Sequence, residues 1–331
     1  MDQQIALLRL FSQGIADARF TTPREVVSWF GAVQAQDFLG ALWAVGLRAG
    51  SAAEAEVERS VAQREIVRSW PLRGTLHFVA AEDLRWMLEL LASRIIRLNA
   101  ARMKRDYELD AAVFRQSRDA LARAMRNGRS LTRPGLYDVL QKARIPTAKS
   151  RGLHIIFELA HEGFLCFGAR EGKQPTFALL EEWVGSSRQL RGDEALFELA
   201  RRYTRSHAPA SAMDFAWWSG LPAGDARRAM DMVRTDFNDP GEPQHRGYLL
   251  PAFDEYLVAY KDRSAVLEAR DIRRVNDGGG MLRPVVLLDG RVVGTWKRVR
   301  GAVEQTLFRR VGGEDRAAIK DAVSRYKAFL D

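Results

Sequence analysis

The chain has 331 residues, 47% of them hydrophobic, and 51 Lys and Arg outnumber 42 Asp and Glu for a formal charge of +9. That length calls for two to four compact units, and the basic balance invites a polyanionic partner. A single cysteine, Cys166, excludes a disulfide framework and a multi-cysteine zinc site. No run of 18 apolar residues offers a membrane span, and the N-terminus lacks a signal-peptide core, so a cytoplasmic protein is expected.

The pattern predicts a helix over residues 2–18. Thr22-Pro23 then opens a second, with Thr22 as N-cap and Pro23 in the first turn, running toward Gln34. Helical spacing returns over 38–47 and 52–63. The period then changes to two: 65–70 and 75–79 read as strands joined by Pro71-Leu72-Arg73-Gly74. Helices followed by a β-hairpin describe a winged helix.

The arrangement recurs. Leu131-Thr132-Arg133-Pro134 opens a helix over 135–143, and 151–161 gives another. Residues 163–168 and 176–180 follow as two wing strands. A partial third copy has helices at 194–206, after Pro209-Ala210-Ser211 through Trp217 to Gly220, and over 223–234. Beyond Gly241 the character is β-like, at 248–251, 285–288 and 291–296, with Asp289-Gly290 as a hairpin turn and 276–280 as a loop. A helix over 315–330 closes the chain. The fold class is therefore α+β: a first winged-helix unit with extra helices (1–125), a second (126–188), a third (189–240) and a β-rich C-terminal domain (241–331).

Positive charge clusters at Arg94, Arg97, Arg102, Lys104 and Arg105, and arginines recur from Arg115 to Arg133 with Asp119 the only acid. Such runs are either solvated helix faces or phosphate contacts. Arg129 and Arg133 flank the start of the second unit and are candidate phosphate contacts. Arg73 occupies the first hairpin turn, where a wing meets phosphate or a minor groove. His77 is either a structural hydrogen-bonding residue or a DNA contact, and Thr75 either a site residue or an ordinary strand threonine. Asp37 reads as a helix N-cap or a spare base. Asp254-Glu255 reads as an acid–base pair or a structural ion network with Lys261, Asp262 and Arg263. Trp217-Trp218 reads as core or as a base-stacking pair. The five histidines lack metal-ligand spacing, and Gly278-Gly279-Gly280 lacks the context of a phosphate loop.

Four segments, Gly31-Ala32-Val33-Gln34-Ala35-Gln36, Trp70-Pro71-Leu72-Arg73-Gly74-Thr75-Leu76-His77, Asp214-Phe215-Ala216-Trp217-Trp218-Ser219-Gly220 and Leu250-Pro251-Ala252-Phe253-Asp254-Glu255-Tyr256, occur in the order found in one family. The chain resembles the bacterial tandem winged-helix DNA glycosylases, AlkZ-like and YcaQ-like. The resemblance implies three winged helices and a C-terminal β-barrel-like domain around a DNA-binding cavity. It implies excision of bulky N7-alkylpurines or unhooking of interstrand crosslinks, by a monomer acting on double-stranded DNA with no cofactor or metal. It makes Gln34 and Gln36 the catalytic pair, in the Gln-x-Gln form of the family's motif, while Arg73, Thr75, His77, Arg129 and Arg133 are the DNA-binding candidates by hairpin position and charge. On a regular helix residues two apart face different ways, so this pair needs a helix end or a distorted turn; otherwise it is a polar pair between helices. The rival expectation is a non-catalytic winged-helix protein, a regulator or a lesion-sequestering resistance protein.

Overall fold

The computed structural model describes residues 2–17, 19–50, 52–233, 245–276, 278 and 280–331. In chain order the elements are α1 (Asp2–Ser12), α2 (Pro23–Phe30), β1 (Val33–Gln34), α3 (Phe38–Gly46), α4 (Glu54–Ala62), β2 (Ile66–Leu72), β3 (Thr75–Ala80), α5 (Leu84–Tyr107) and α6 (Ala111–Met125). Then come β4 (Leu131–Thr132), α7 (Arg133–Lys142), α8 (Arg151–His161), β5 (Leu165–Phe167), β6 (Thr176–Leu179), α9 (Leu180–Trp183), α10 (Gly192–His207), α11 (Ala212–Ser219) and α12 (Ala223–Asp231). The last are β7 (Gly247–Leu250), α13 (Glu255–Val258), α14 (Ile272–Val275), β8 (Val285–Leu288), β9 (Arg291–Val299), β10 (Ala302–Leu307) and α15 (Gly313–Leu330).

Local chemistry accounts for the boundaries. Thr22 caps α2 in a reciprocal box with Glu25, and Pro23 sits where no N–H is needed. The helix stops at Gly31, whose φ of 82° is open to glycine; its N–H closes on Val27 O. The helix expected to run toward Gln34 therefore ends four residues earlier. The first helix likewise ends at Ser12, short of the expectation. Thr132 caps α7 through the Gly135 N–H, and Ser211 caps α11 in a box with Asp214. Asp289 and Gly290 take φ of 48° and 82°, the primed turn a tight hairpin requires. Ala18, Arg234, Gly241, Asp277 and Gly279, which figure in the expected boundaries, lie outside the described residues.

The chain divides into two compact units, residues 1–58 with 197–331 and residues 59–196. In the second, β2 and β3 form an antiparallel hairpin whose register shifts between Ser69 and Leu72. Pro71 sits in that irregularity, where a missing N–H costs no ladder bond. Strands β4, β6 and β5 form a small antiparallel sheet in that order. Helices α5 and α8 pack on β2. Leu76, Met103, Leu121, Leu136, Ile155, Leu159, Leu165 and Phe177 belong to one buried cluster that joins the hairpin, the helices and the sheet.

In the first unit, β10, β9, β8 and β7 make an antiparallel meander. Helix α15 packs on β7, β8 and α3. Among the described residues this sheet is open, with β7 and β10 at its edges, rather than a closed barrel. Strand β10 has no counterpart among the elements expected from the sequence. Among the described residues no helix is long and apolar enough to cross a membrane.

One buried acid in the second unit stands out. Burial, then the Glu162 charge, raises the Glu158 carboxyl from 4.5 to about 7. The fold thus favours the neutral acid, a contribution fully present below pH 4.5 and lost as pH rises through 7. Glu158→Gln removes this dependence. The variant's melting temperature should exceed the native one by more at pH 8 than at pH 4.5, and an equal difference at both would contradict the assignment.

Candidate active site

Gln34 ends strand β1, Gln36 lies in the bend after it, and α3 starts at Phe38. The pair is therefore not on a helix. The helical-spacing objection does not apply, and the bend at Gln36 turns the chain between the strand and α3. Gln34 is buried, only 8% exposed, while Gln36 is exposed. Gln34 Oε1 is buried and has no hydrogen-bond partner among the described residues. An amide oxygen left so is an acceptor in need of a donor.

The backbone of Gln34 is held from below. Its N–H donates to Glu255 Oε1 at 2.7 Å. The same fully buried carboxylate accepts from Trp218 Nε1 at 3.0 Å, and His207 Nε2 lies 3.4 Å from its Oε2. Burial lowers the pKa of His207, so its ring is neutral near pH 7. Its Nδ1 lies 2.8 Å from Ser206 Oγ, and its ring stacks on Tyr203 with centroids 4.5 Å apart.

Asp254 does the matching work one residue earlier. Arg48, itself buried, grips it bidentately through Nη2 and Nη1 at 2.8 and 3.0 Å. The remaining guanidinium donors reach Gln13 O, Gln13 Oε1 and Ala44 O. Asp254 Oδ1 also accepts the Tyr256 N–H and so caps α13. Tyr256 Oη lies 3.0 and 2.8 Å from Ala6 O and Gly290 O. A Cβ at Gly290 would stand 2.9 Å from that hydroxyl, so the close approach itself requires glycine.

The sequence reading of Asp254-Glu255 as a structural network holds, with different partners. Lys261 and Asp262 instead give their backbone N–H groups to Asp214 Oδ1, at 2.9 and 3.2 Å. The true partners lie 206 to 221 residues away in sequence, or on α10 and α11. Trp218 is buried as expected of core, whereas Trp217 is 45% exposed, its indole N–H donating to Val258 O. Asp37 takes the N-cap position of α3 but makes no side-chain cap.

Arg73, Thr75 and His77 all belong to the β2–β3 hairpin. Arg73 holds φ of 53° in the turn and is half-buried. Thr75 Oγ1 donates to Leu72 O at 3.2 Å, a local bond within the turn. His77 is fully buried, and its Nδ1 lies 2.9 Å from Thr75 O, which fixes the proton on Nδ1. Arg129 and Arg133 are exposed on either side of β4. Arg94, Arg97, Arg102, Lys104 and Arg105 are exposed along α5. Among the described residues no group of three or more His, Cys, Asp or Glu could hold a metal ion.

Removing one partner of a buried pair leaves a bare charge in the interior. Asp254→Ala should therefore cost about 3–5 kcal/mol in urea unfolding. A loss below about 1 kcal/mol, the range of an exposed pair, would show that Arg48 does not depend on Asp254.

A relative from Streptomyces sahachiroi described as an interstrand DNA cross-link repair glycosylase is 25% identical, with 92% of this chain and 90% of that protein covered. The solved structure of the Streptomyces sahachiroi DNA glycosylase AlkZ superposes with a TM-score of 0.80 at 23% identity, over 99% of this chain and 96% of that one, which shows a shared mixed α/β fold. The family model for AlkZ-like DNA glycosylases matches residues 27–329, nearly the whole chain, and the protein belongs to that family.

Proposed function

We propose that this DNA glycosylase hydrolyses the N-glycosidic bond of cationic N7-alkylpurines in duplex DNA, as bulky monoadducts or interstrand crosslinks, with Gln34 and Gln36 positioning the water. The unpartnered, buried Oε1 of Gln34 carries this reading. It supplies an acceptor for one water proton, on a backbone that Glu255 holds still. Gln36, exposed two residues on, is the second amide of the pair.

The chemistry asks little of an acid. Alkylation at N7 makes the purine cationic, so when C1′–N9 breaks the electron pair neutralises the leaving base. Water oxygen bonds to C1′, one proton is released, and an abasic site and a neutral alkylpurine result. Two uncharged amides suit this demand, because the task is placement of water beside an oxocarbenium-like sugar. The relative's description as a cross-link repair glycosylase favours a crosslinked substrate.

DNA binding is assigned to Arg73, Thr75, Arg129 and Arg133, with exposed arginines on α5 adding sequence-independent attraction; His77, fully buried against Thr75 O, is instead the structural hydrogen-bonding residue. The order helix, short strand, helix, helix, strand, strand runs through α6, β4, α7, α8, β5 and β6. It also runs through α2, β1, α3, α4, β2 and β3. That order supports winged-helix units over 1–125 and 126–188. Helices α10, α11 and α12 supply a third helical set within 189–240, and 241–331 is the β-rich C-terminal domain. We read the protein as a cytoplasmic monomer.

Incubation with duplex DNA carrying one N7-alkylguanine should release the base and leave an alkali-labile abasic site. Gln34→Ala with Gln36→Ala should lower single-turnover release by about 100-fold or more, with DNA affinity nearly unchanged. Unchanged release would remove the pair from the mechanism. Tight binding of alkylated DNA by the native protein with no release would make it a sequestering protein.

A further inference from the structure

We propose that a cavity in the second unit, between α5 and the end of α8, binds a free 2-amino-6-oxopurine base, and the source of that base rests on the glycosylase reading above, whose product it is. The cavity has a volume of about 220 Å³. A cavity of about 150 Å³ takes a benzene ring, so one fused five- and six-membered ring system fits here.

The cavity is rich in acceptors. His161, the last residue of α8, lines it and is only 2% exposed. Its Nδ1 lies 2.8 Å from Phe157 O, and its ring packs on the Phe157 ring with centroids 4.0 Å apart. The carbonyl partner puts the proton on Nδ1 and leaves Nε2 with a lone pair. Burial lowers the His161 pKa to about 4, so the ring is neutral near pH 7. Nε2 is buried and has no hydrogen-bond partner among the described residues, so it is an acceptor in need of a donor. Glu89 and Glu162 add carboxylates to the lining.

The guanidinium of Arg85 faces this set. It is half-buried on α5, and no carboxylate or carbonyl takes its N–H groups among the described residues. Leu88, Ile96 and Leu180 supply apolar wall.

These groups select by chemistry. A bare anion meets the carboxylates and an imidazole with no spare proton to give. A metal ion lacks ligands, since no group of three or more His, Cys, Asp or Glu could hold one among the described residues. A bare cation meets Arg85. A neutral ring with several N–H groups and a carbonyl satisfies every member. A neutral N7-alkylguanine has an N–H at N1 and an NH2 beside it, donors for His161, Glu89 and Glu162. Its O6 is the atom a guanidinium takes on guanine. Its ring faces need only the apolar wall.

Isothermal titration of the native protein with 7-methylguanine, in the absence of DNA, tests the assignment. Binding should saturate at one base per chain with a Kd below about 1 mM. The analogue 7-methylhypoxanthine, the same ring system without the amine, should bind about tenfold or more weakly, and His161→Phe and Glu89→Gln should each weaken 7-methylguanine by a similar factor. Glu89 is exposed, so Glu89→Gln keeps the test open if His161→Phe does not fold. Gln34→Ala with Gln36→Ala should bind the base as the native protein does. No saturation by native protein, equal binding of the two bases, or binding unaltered in the folded cavity variants overturns the assignment. Binding lost in the Gln34→Ala, Gln36→Ala protein means that the base sits at the catalytic pair, and overturns it too. The titration requires no base release from DNA. Failure to bind therefore leaves the glycosylase reading standing, and failure to release base from DNA leaves the binding result standing.

Discussion

Everything near the candidate site depends on one buried anion finding its donors. Glu255 is taken out of water, a heavy cost for a carboxylate unless hydrogen bonds replace hydration. The donors come from three places in the chain: the backbone of Gln34, the indole of Trp218 and the imidazole of His207. Asp254 binds Arg48, which in turn holds Gln13 and Ala44. Two adjacent acids thus tie together the end of α1, β1, α3, α10 and α11. Losing either acid strands buried donors, so the segment is fixed from many sides at once.

That constraint gives the proposed chemistry its economy. A cationic leaving base removes the need for a strong acid, and what remains is the placement of water. A neutral amide places water well only if its backbone does not wander. Glu255 supplies that rigidity from behind β1, leaving the Gln34 side chain buried with an acceptor to offer.

Much of this is legible in the sequence because it is written locally. Thr22-Pro23, Thr132 with Pro134, and Ser211 with Asp214 are caps whose partners lie within a few residues, and each marks a helix start. Asp289-Gly290 needs positive φ at both positions and predicts its own turn. Strand β10 is not legible: Ala302–Leu307 is mostly exposed on an edge, so no alternation of apolar residues announces it. The apolar spacing that extends α2 toward Gln34 runs past Gly31, and the positive φ at that glycine is what stops the helix. The Asp254-Glu255 pair is visible, but its partners are not, since Arg48 and Gln34 lie more than 200 residues away.

The central claim is that Glu255 acts on base release by holding Gln34. Single-turnover release by folded Glu255→Gln measures it most directly. The substitution keeps the size of the side chain but faces one amide NH2 toward groups that donate, so β1 should shift. Release should fall by about 100-fold or more with DNA affinity retained. A release rate within about twofold of native, in protein that remains folded, would contradict the claim.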